Sequence, residues 1–132
     1  MDIDRNPDGR PEPLYKAETH AIIGFSFAIL NEIGHGLNEK LYENALTVEF
    51  RLNNIPYDQQ RNFKVTYKNH EIGKFIPDLI AYDKIIVDTK VIDRITDHER
   101  GQMLNYLRIT KLRVGLLLNF KHARLEYERL QL

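Results

Sequence analysis

Two aspartates and a lysine occur at a spacing that could support metal-dependent chemistry. Asp78 follows Pro77, and after nine intervening residues the chain reads Asp88-Thr89-Lys90. Two carboxylates brought together by a hairpin supply the oxygen ligands that Mg²⁺ prefers, and Mn²⁺ accepts the same ligands. The lysine adds a positive charge that can orient a water or stabilise charge developing on a phosphoryl group. The pattern predicts phosphodiester hydrolysis, with Asp78 and Asp88 as metal ligands and with both acids and Lys90 as catalytic residues.

The three side chains share a face only if the connecting loop has a suitable length. Side chains alternate along a strand, so residues 78, 88 and 90 project together when the loop holds an odd number of residues. A three-residue loop from Tyr82 to Lys84 would place Asp78 opposite Asp88, with Cβ atoms about 4.5–5.5 Å apart. The odd-numbered face is predicted to be the packed one and carries Phe75, Pro77, Leu79, Ala81, Ile85, Val87 and Val91. The alternative is a solvent-facing hairpin whose acids and lysine form surface ion pairs, each worth about 0–1 kcal/mol.

Two helices are predicted before this hairpin. Apolar residues at helical spacing predict the first from Lys16 to Ile33, and its inward residues are Ile22, Ile23, Phe27, Ile29, Leu30 and Ile33. A Gly34-His35-Gly36 break separates it from a second helix over about residues 38–52, with Asn38 as the N-cap. The inner stripe of the second helix is predicted to be Leu41, Ala45, Val48 and Leu52.

Strands and a third helix follow. Alternating apolar residues predict strands over residues 63–68, 72–81 and 85–91, which together form a β-meander. Thr96-x-x-Glu99 has the form of a capping box and predicts a helix to about Thr110, with Met103, Leu104 and Leu107 facing inward. Residues 112–120 predict an interior strand and residues 124–132 an edge strand. The predicted fold is α/β, of the α+β type, in the order α-α-β-β-β-α-β-β.

Composition limits the class of protein. A chain of 132 residues predicts one domain, over residues 14–132, after a polar tail over residues 1–13 that resembles neither a signal peptide nor a transit peptide. The absence of cysteine excludes disulfides, thiolate zinc sites and a cysteine nucleophile, and is typical of a reducing compartment, so a cytoplasmic location is predicted. No apolar run approaches the roughly 20 residues of a membrane span.

The zero net charge conceals an asymmetry between the two halves of the chain. Residues 1–60 hold 5 basic and 10 acidic residues, a net charge of −5, whereas residues 61–132 hold 14 and 9, a net charge of +5. A basic half could attract a polyanion, although lysines scattered over solvated faces produce the same bias.

The Pro77-Asp78 and Asp88-Thr89-Lys90 segments resemble the motif of the PD-(D/E)XK nuclease superfamily, whose members typically use Mg²⁺ to cut DNA. Residues 36–42, Gly-Leu-Asn-Glu-Lys-Leu-Tyr, resemble the Gly-x-x-Glu-x-x-Tyr signature of the small bacterial GxxExxY proteins, a branch of that superfamily. The likeness covers roughly residues 20–132 and includes Glu43-Asn44-Ala45-Leu46 and Leu116-Leu117-Leu118-Asn119-Phe120. It implies a restriction-endonuclease-like core, with a central mixed sheet flanked by helices. It also implies Glu39 as a third metal ligand, although a glutamate at a helix start equally favours the helix dipole.

A further motif lies on the helix that follows the hairpin. The segment from Gln102 to Tyr106 resembles the Gln-x-x-x-Tyr motif of RecB-type nucleases, which implies catalytic roles for both residues. His98, Gln102 and Tyr106 are spaced four apart and form one stripe that could face the metal site or a nucleic-acid strand. A solvated helix face is the alternative explanation of this stripe.

One residue departs from the branch pattern. GxxExxY relatives usually carry Glu-x-Lys where this chain has Asp88-Thr89-Lys90. The superfamily motif accepts either acid, but the shorter aspartate would shift the metal or change its affinity.

The leading hypothesis is therefore a Mg²⁺-dependent deoxyribonuclease whose partner is a nucleic acid, with DNA as the expected one. Ten basic residues are candidate contacts to the phosphate backbone: Lys64, Lys68, Lys74, Arg94, Arg100, Arg108, Lys111, Arg113, Lys121 and Arg124. The alternative is a non-catalytic module that keeps the fold and binds nucleic acid or protein. A homodimer is considered in either case, because so small a domain offers little surface for gripping a duplex. Serine-hydrolase, zincin and P-loop chemistries lack their characteristic motifs.

Overall fold

The computed structural model of the protein describes residue 9 and residues 13–132. Along this part of the chain the elements are α1 (Lys16–Ile33), α2 (Glu39–Leu52), β1 (Tyr57–Gln59), β2 (Phe63–Tyr67), β3 (His70–Phe75), β4 (Leu79–Ala81), β5 (Ile85–Lys90), α3 (Asp97–Thr110), β6 (Val114–Asn119) and β7 (Glu126–Gln131). Apart from residues 9 and 13, the predicted polar tail lies outside the described residues. No helix in the described ranges is long and apolar enough to cross a membrane.

Five of the strands form a central mixed sheet in the order β1-β4-β5-β6-β7. β5 and β6 are parallel, and the other neighbours are antiparallel. α3 connects the two parallel strands, as such a pair requires a crossover. β2 and β3 form a separate two-stranded sheet. The predicted fold, a central mixed sheet flanked by helices, is confirmed.

The helices cover both faces of the central sheet. Side chains of α1 and α2 pack with one face, to which Val87 and Leu116 belong. On the other face, Ile86 and Leu117 pack with Met103 of α3. A Cβ at Gly115 would lie 2.3 Å from the sulfur of Met103, so this glycine allows α3 to approach β6 closely. The strand that carries Asp88 is therefore held from both sides.

The predicted helix starts are confirmed at α2 and α3. The side chain of Asn38 accepts a hydrogen bond from the backbone N–H of Lys40 at 2.8 Å. Thr96 and Glu99 form the predicted capping box, in which the N–H of Thr96 donates to the Glu99 carboxylate at 2.7 Å. These caps satisfy backbone donors that the helix itself leaves unpaired.

The predicted inner stripe of α2 is wrong for three of its four residues. Leu41, Val48 and Leu52 are exposed, whereas the fully buried apolar residues of the helix are Tyr42, Leu46 and Phe50. Both stripes have helical spacing, and the second carries two aromatic rings, which bury more apolar surface. In α1, likewise, the predicted core residues Phe27 and Ile33 are exposed, while Ile22, Ile29 and Leu30 are buried.

The strand predicted over residues 72–81 is two strands, β3 and β4, so five strands precede α3 rather than three. Residues 76–78 lie between the two strands and belong to neither. Pro77 has no backbone N–H that could donate a hydrogen bond to a neighbouring strand. Phe75 therefore does not share the packed face of β4. Its ring stacks instead on Tyr106 of α3, with centroids 4.1 Å apart. The short strand β1 was not predicted at all.

Candidate metal and active site

The β4–β5 hairpin brings Asp78 and Asp88 together. Leu79–Ala81 pair with Ile85–Val87 across a three-residue loop, in which Tyr82 and Asp83 have positive φ angles. The next pair in this register is Asp78 and Asp88, as the parity of the strands predicts. Asp88 is only 9% exposed, and α3 covers this face of the hairpin, so the solvent-facing alternative does not hold.

The two carboxyl groups interact directly. Burial, a hydrogen bond to Asp88 and the charge of Asp88 together raise the pKa of Asp78 to about 7. Burial also raises the pKa of Asp88, although Lys90 opposes part of that effect. The protonated carboxyl of Asp78 thus donates to the carboxylate of Asp88, and near neutral pH the pair binds one proton in place of a second negative charge.

Lys90 lies beside this pair as predicted. Its Nζ atom is 3.3 Å from Oδ2 of Asp88 and 3.5 Å from Oε1 of Gln102. Burial by itself would lower the pKa of Lys90, but the neighbouring Asp88 outweighs burial and raises that pKa above its ordinary value. Lys90 is therefore an ammonium ion at neutral pH.

Both acids and the lysine open on one cleft with a volume of about 170 Å³. Glu39, Phe75 and Tyr106 line the same cleft. Burial and the charge of Asp88 raise the pKa of the Tyr106 phenol, so its O–H stays protonated. The structure therefore gathers Glu39 and Tyr106 around the hairpin, and it places Gln102 against Lys90.

Glu39 anchors the start of α2 to the end of β5. Its Oε1 atom accepts a hydrogen bond from the N–H of Val91 at 3.2 Å, and its carbonyl accepts from the hydroxyl of Thr89 at 3.3 Å. Across residues 13–132, no group of three or more histidine, cysteine or acidic side chains is arranged so that it could hold a metal ion. The ligand role of Glu39 therefore stays a prediction.

His98 does not join the other two residues of its stripe at the cleft. It is exposed in the first turn of α3, where its backbone N–H donates to the capping hydroxyl of Thr96 at 3.3 Å. It is absent from the residues that line the cleft. Of the predicted stripe, Tyr106 lines the cleft and Gln102 contacts Lys90.

Glu43 is a neighbour of the site to which the sequence analysis assigned no role. Its side chain is 4% exposed and pairs with Lys40 at 2.8 Å. It also accepts hydrogen bonds from the side-chain amides of Gln59 and Gln60, while the N–H of Gln60 donates to the carbonyl of Asp78. The charge of Glu43 contributes to the raised pKa of Asp78. The feature of the sequence that could have indicated a role for Glu43 is its position one helical turn after Glu39.

The Gly-x-x-Glu-x-x-Tyr segment has a structural explanation at its two ends. The hydroxyl of Tyr42 donates to the carbonyl of Gly34 at 2.7 Å and accepts from the N–H of Leu37 at 3.1 Å. The ring of Tyr42 stacks on Phe120, with centroids 4.2 Å apart. Gly36 has a positive φ angle, and its N–H donates to the carbonyl of Phe120 at 2.8 Å. The segment thus fixes the start of α2 against the end of β6, beside the cleft.

The donor set fits a hard divalent cation. Two buried carboxylates that repel one another need either a proton or a cation between them. The raised pKa of Asp78 indicates that a proton is held there when no metal ion is bound. Oxygen ligands of this kind are those that Mg²⁺ and Mn²⁺ bind. Asp78 and Asp88 would hold such an ion.

Comparison with known proteins agrees with this geometry. A crystal structure titled SSO0001 superposes with a TM-score of 0.55 at 16% identity; the match covers 89% of this chain and 59% of that one. This likeness concerns the fold alone, and the present chain spans well under two thirds of that protein's length. A search of curated proteins found no match. The family model of the PD-(D/E)XK nuclease superfamily matches residues 16–130. The chain therefore belongs to the PD-(D/E)XK nuclease superfamily.

Proposed function

We propose that this protein is a Mg²⁺-dependent nuclease that hydrolyses phosphodiester bonds of DNA, with Mn²⁺ as an alternative ion. The observation that carries the proposal is the pairing of Asp78 with Asp88 at a cleft, with the ammonium group of Lys90 3.3 Å from Asp88. Membership of a superfamily of nucleases supports the reaction class. Asp78 and Asp88 are the proposed metal ligands, and Glu39 is the proposed third.

A bound divalent ion would supply a Lewis acid and a water of lowered pKa. Lys90 contributes charge rather than base chemistry, because its raised pKa keeps it protonated at neutral pH. Its ammonium group stabilises negative charge on the phosphoryl oxygens or orients the attacking water. Gln102 orients the ammonium group by accepting a hydrogen bond from it.

Tyr106 is proposed to donate a hydrogen bond to the substrate phosphate. Its phenol stays protonated, and the stacked ring of Phe75 holds its orientation in the cleft. Neither Lys90 nor Tyr106 takes part in proton transfer in this scheme.

The motif at the start of α2 supports placement in the GxxExxY branch. Gly36 donates a hydrogen bond to Phe120 after β6, Glu39 accepts one from Val91 after β5, and the ring of Tyr42 stacks on Phe120. The Gln102 to Tyr106 segment supports a RecB-like arrangement, since both residues lie at the site.

The test is cleavage of single-stranded, duplex and nicked DNA by the purified protein with Mg²⁺ or Mn²⁺. Wild type is expected to cut at least one substrate, and Asp88→Asn is expected to lose about 100-fold or more in rate because a metal ligand is lost. Chelation should abolish cleavage by wild type. Equal, undetectable cleavage by both proteins would favour the non-catalytic module instead.

A further inference from the structure

A second groove lies between the β2–β3 hairpin and the end of α3. It has a volume of about 190 Å³ and shares no lining residue with the site cleft. Lys64 contributes from β2, and Arg108 and Lys111 contribute from the last turn of α3 and its C-cap. No carboxylate lines it. We call this feature the basic groove and define it by Lys64, Arg108 and Lys111.

The cations of the basic groove have no acidic partner in the described part of the chain. All three are exposed, and no ion pair there involves them. Arg100, another predicted phosphate contact, is by contrast held by Asp97 at 2.9 Å and Glu128 at 2.6 Å. The structure thus separates cations available to a ligand from one that is already paired.

The hairpin beside the groove also carries a like-charge pair. Lys64 lies directly opposite Lys74 in the register of β2 and β3. Opposed residues on one face have Cβ atoms about 4.5–5.5 Å apart, and like charges in that position destabilise the pair. A polyanion at this hairpin would remove the repulsion.

The groove and the site cleft are lined in part by the same two elements, the β2–β3 hairpin and α3. Phe75 and Tyr106 stack to form part of the cleft wall. Lys74 precedes Phe75 in β3, and Arg108 follows Tyr106 by two residues in α3. Because the hairpin and α3 line both features, a strand of nucleic acid in the cleft can continue along α3 to the basic groove.

We propose that the basic groove binds the phosphate backbone of a nucleic-acid strand whose scissile phosphate occupies the Asp78–Asp88 cleft. The proposal rests on the proposed nuclease function and extends it by assigning the surface that holds the strand. Contacts to phosphates carry no sequence information directly. Binding through the groove is therefore independent of base sequence and weakens with salt as counterions return to the backbone.

The test is fluorescence anisotropy with labelled single-stranded and duplex oligonucleotides in EDTA, where binding is separated from cleavage. A Lys64→Ala/Lys111→Ala variant is expected to bind about tenfold more weakly at moderate salt, equally for two unrelated sequences, and to reduce the slope of log affinity against log salt by about 2. The matched control is Lys64→Arg/Lys111→Arg, which keeps both charges and should bind as wild type does.

Three results would overturn the proposal. The alanine variant could match wild type in affinity and salt slope. Alternatively, the arginine variant could lose as much affinity as the alanine variant, which would show that the loss comes from a disturbed structure and not from the removed charges. Equal competition by poly-glutamate and by DNA of the same total charge would show that a nucleic acid is not preferred. The proposed catalysis fails separately: groove-dependent binding by wild type without cleavage would support the groove and contradict the nuclease.

Discussion

Asp78 and Asp88 lie opposite one another one residue beyond the Leu79–Val87 pair of the β4–β5 hairpin, and the two carboxyl groups share a hydrogen bond. The arrangement binds a proton more tightly than an unfolded chain does, because burial and mutual repulsion disfavour two charges. In the proposed mechanism a divalent cation would replace this proton. Stability, metal binding and activity are therefore all expected to depend on pH over the same range.

The first prediction concerns stability without metal. The folded pKa of Asp78, about 7, lies above the ordinary value of 3.8, so between these values the folded state holds a proton that the unfolded state has released. The free energy of unfolding should therefore fall as pH rises from about 4 to about 7. Asp78→Asn removes the cost of ionising this carboxyl group in the folded protein. The substitution should therefore stabilise the protein at pH 8 by about 1–2 kcal/mol, after allowance for solvent screening, with little effect at pH 4.

Urea unfolding in EDTA at both pH values measures this difference. Asp93→Asn is the matched control, since Asp93 is an exposed aspartate outside the cleft. Equal effects of Asp78→Asn at pH 4 and pH 8 would show that Asp78 does not titrate in this range.

The second prediction concerns metal affinity. Because the ion must displace the proton held by Asp78 and Asp88, affinity for Mg²⁺ or Mn²⁺ should fall about tenfold for each pH unit below 7. Calorimetric titration in two buffers of different ionisation enthalpy would detect the released proton. Asp88→Asn should lose the binding at every pH. An affinity that is equal at pH 6 and pH 8 would contradict the shared-proton arrangement.

The third prediction separates charge from structure at Lys90. Lys90→Met keeps the length of the side chain but removes the ammonium group, so cleavage should fall about 100-fold while metal binding persists. The pKa of Asp88 should rise further, since Lys90 holds it down in wild type. Lys84→Met is the control: Lys84 lies in the same hairpin but pairs with Glu18 at 3.1 Å, away from the cleft. Cleavage by Lys90→Met at the wild-type rate would remove Lys90 from the mechanism.

The hairpin was predictable because its geometry is local. Asp78 and Asp88 are ten residues apart, and the parity of the strands with a three-residue loop is enough to place them opposite one another. The caps at Asn38 and Thr96 are equally local. Such features depend on neighbours in the chain and hardly on the rest of the fold.

The rotation of α2 and the role of Glu43 were not predictable in this way. Leu41 and Tyr42 both belong to stripes of helical spacing, and the choice between them is made by Phe120, far along the chain, on which Tyr42 stacks. Glu43 acquires Gln59 as a partner only when the three-residue strand β1 pairs with β4. Long-range packing decides both features.

The fourth prediction concerns Glu43, whose charge helps to raise the pKa of Asp78. Glu43→Gln keeps an acceptor for the amide of Gln59 but removes the charge. The pKa of Asp78 should therefore fall, and the pH at which metal affinity declines should move lower. Carboxyl titration by NMR measures the shift directly. Glu49→Gln, on the same helix but without a hydrogen bond to this network, should leave the titration unchanged; an equal shift in both variants would exclude a specific effect.

The fifth prediction concerns the loop that positions Glu39. Tyr42→Phe removes a buried hydroxyl that bonds both Gly34 and Leu37, so the free energy of unfolding should fall by about 1–2 kcal/mol while the stacking on Phe120 is kept. Tyr127→Phe is the matched control, because Tyr127 is 45% exposed. Urea unfolding of both variants provides the comparison. If Glu39 is a metal ligand, Tyr42→Phe should also weaken Mg²⁺ binding, since the loop that orients the start of α2 is loosened; an unchanged affinity in a measurably destabilised variant would argue against that ligand role.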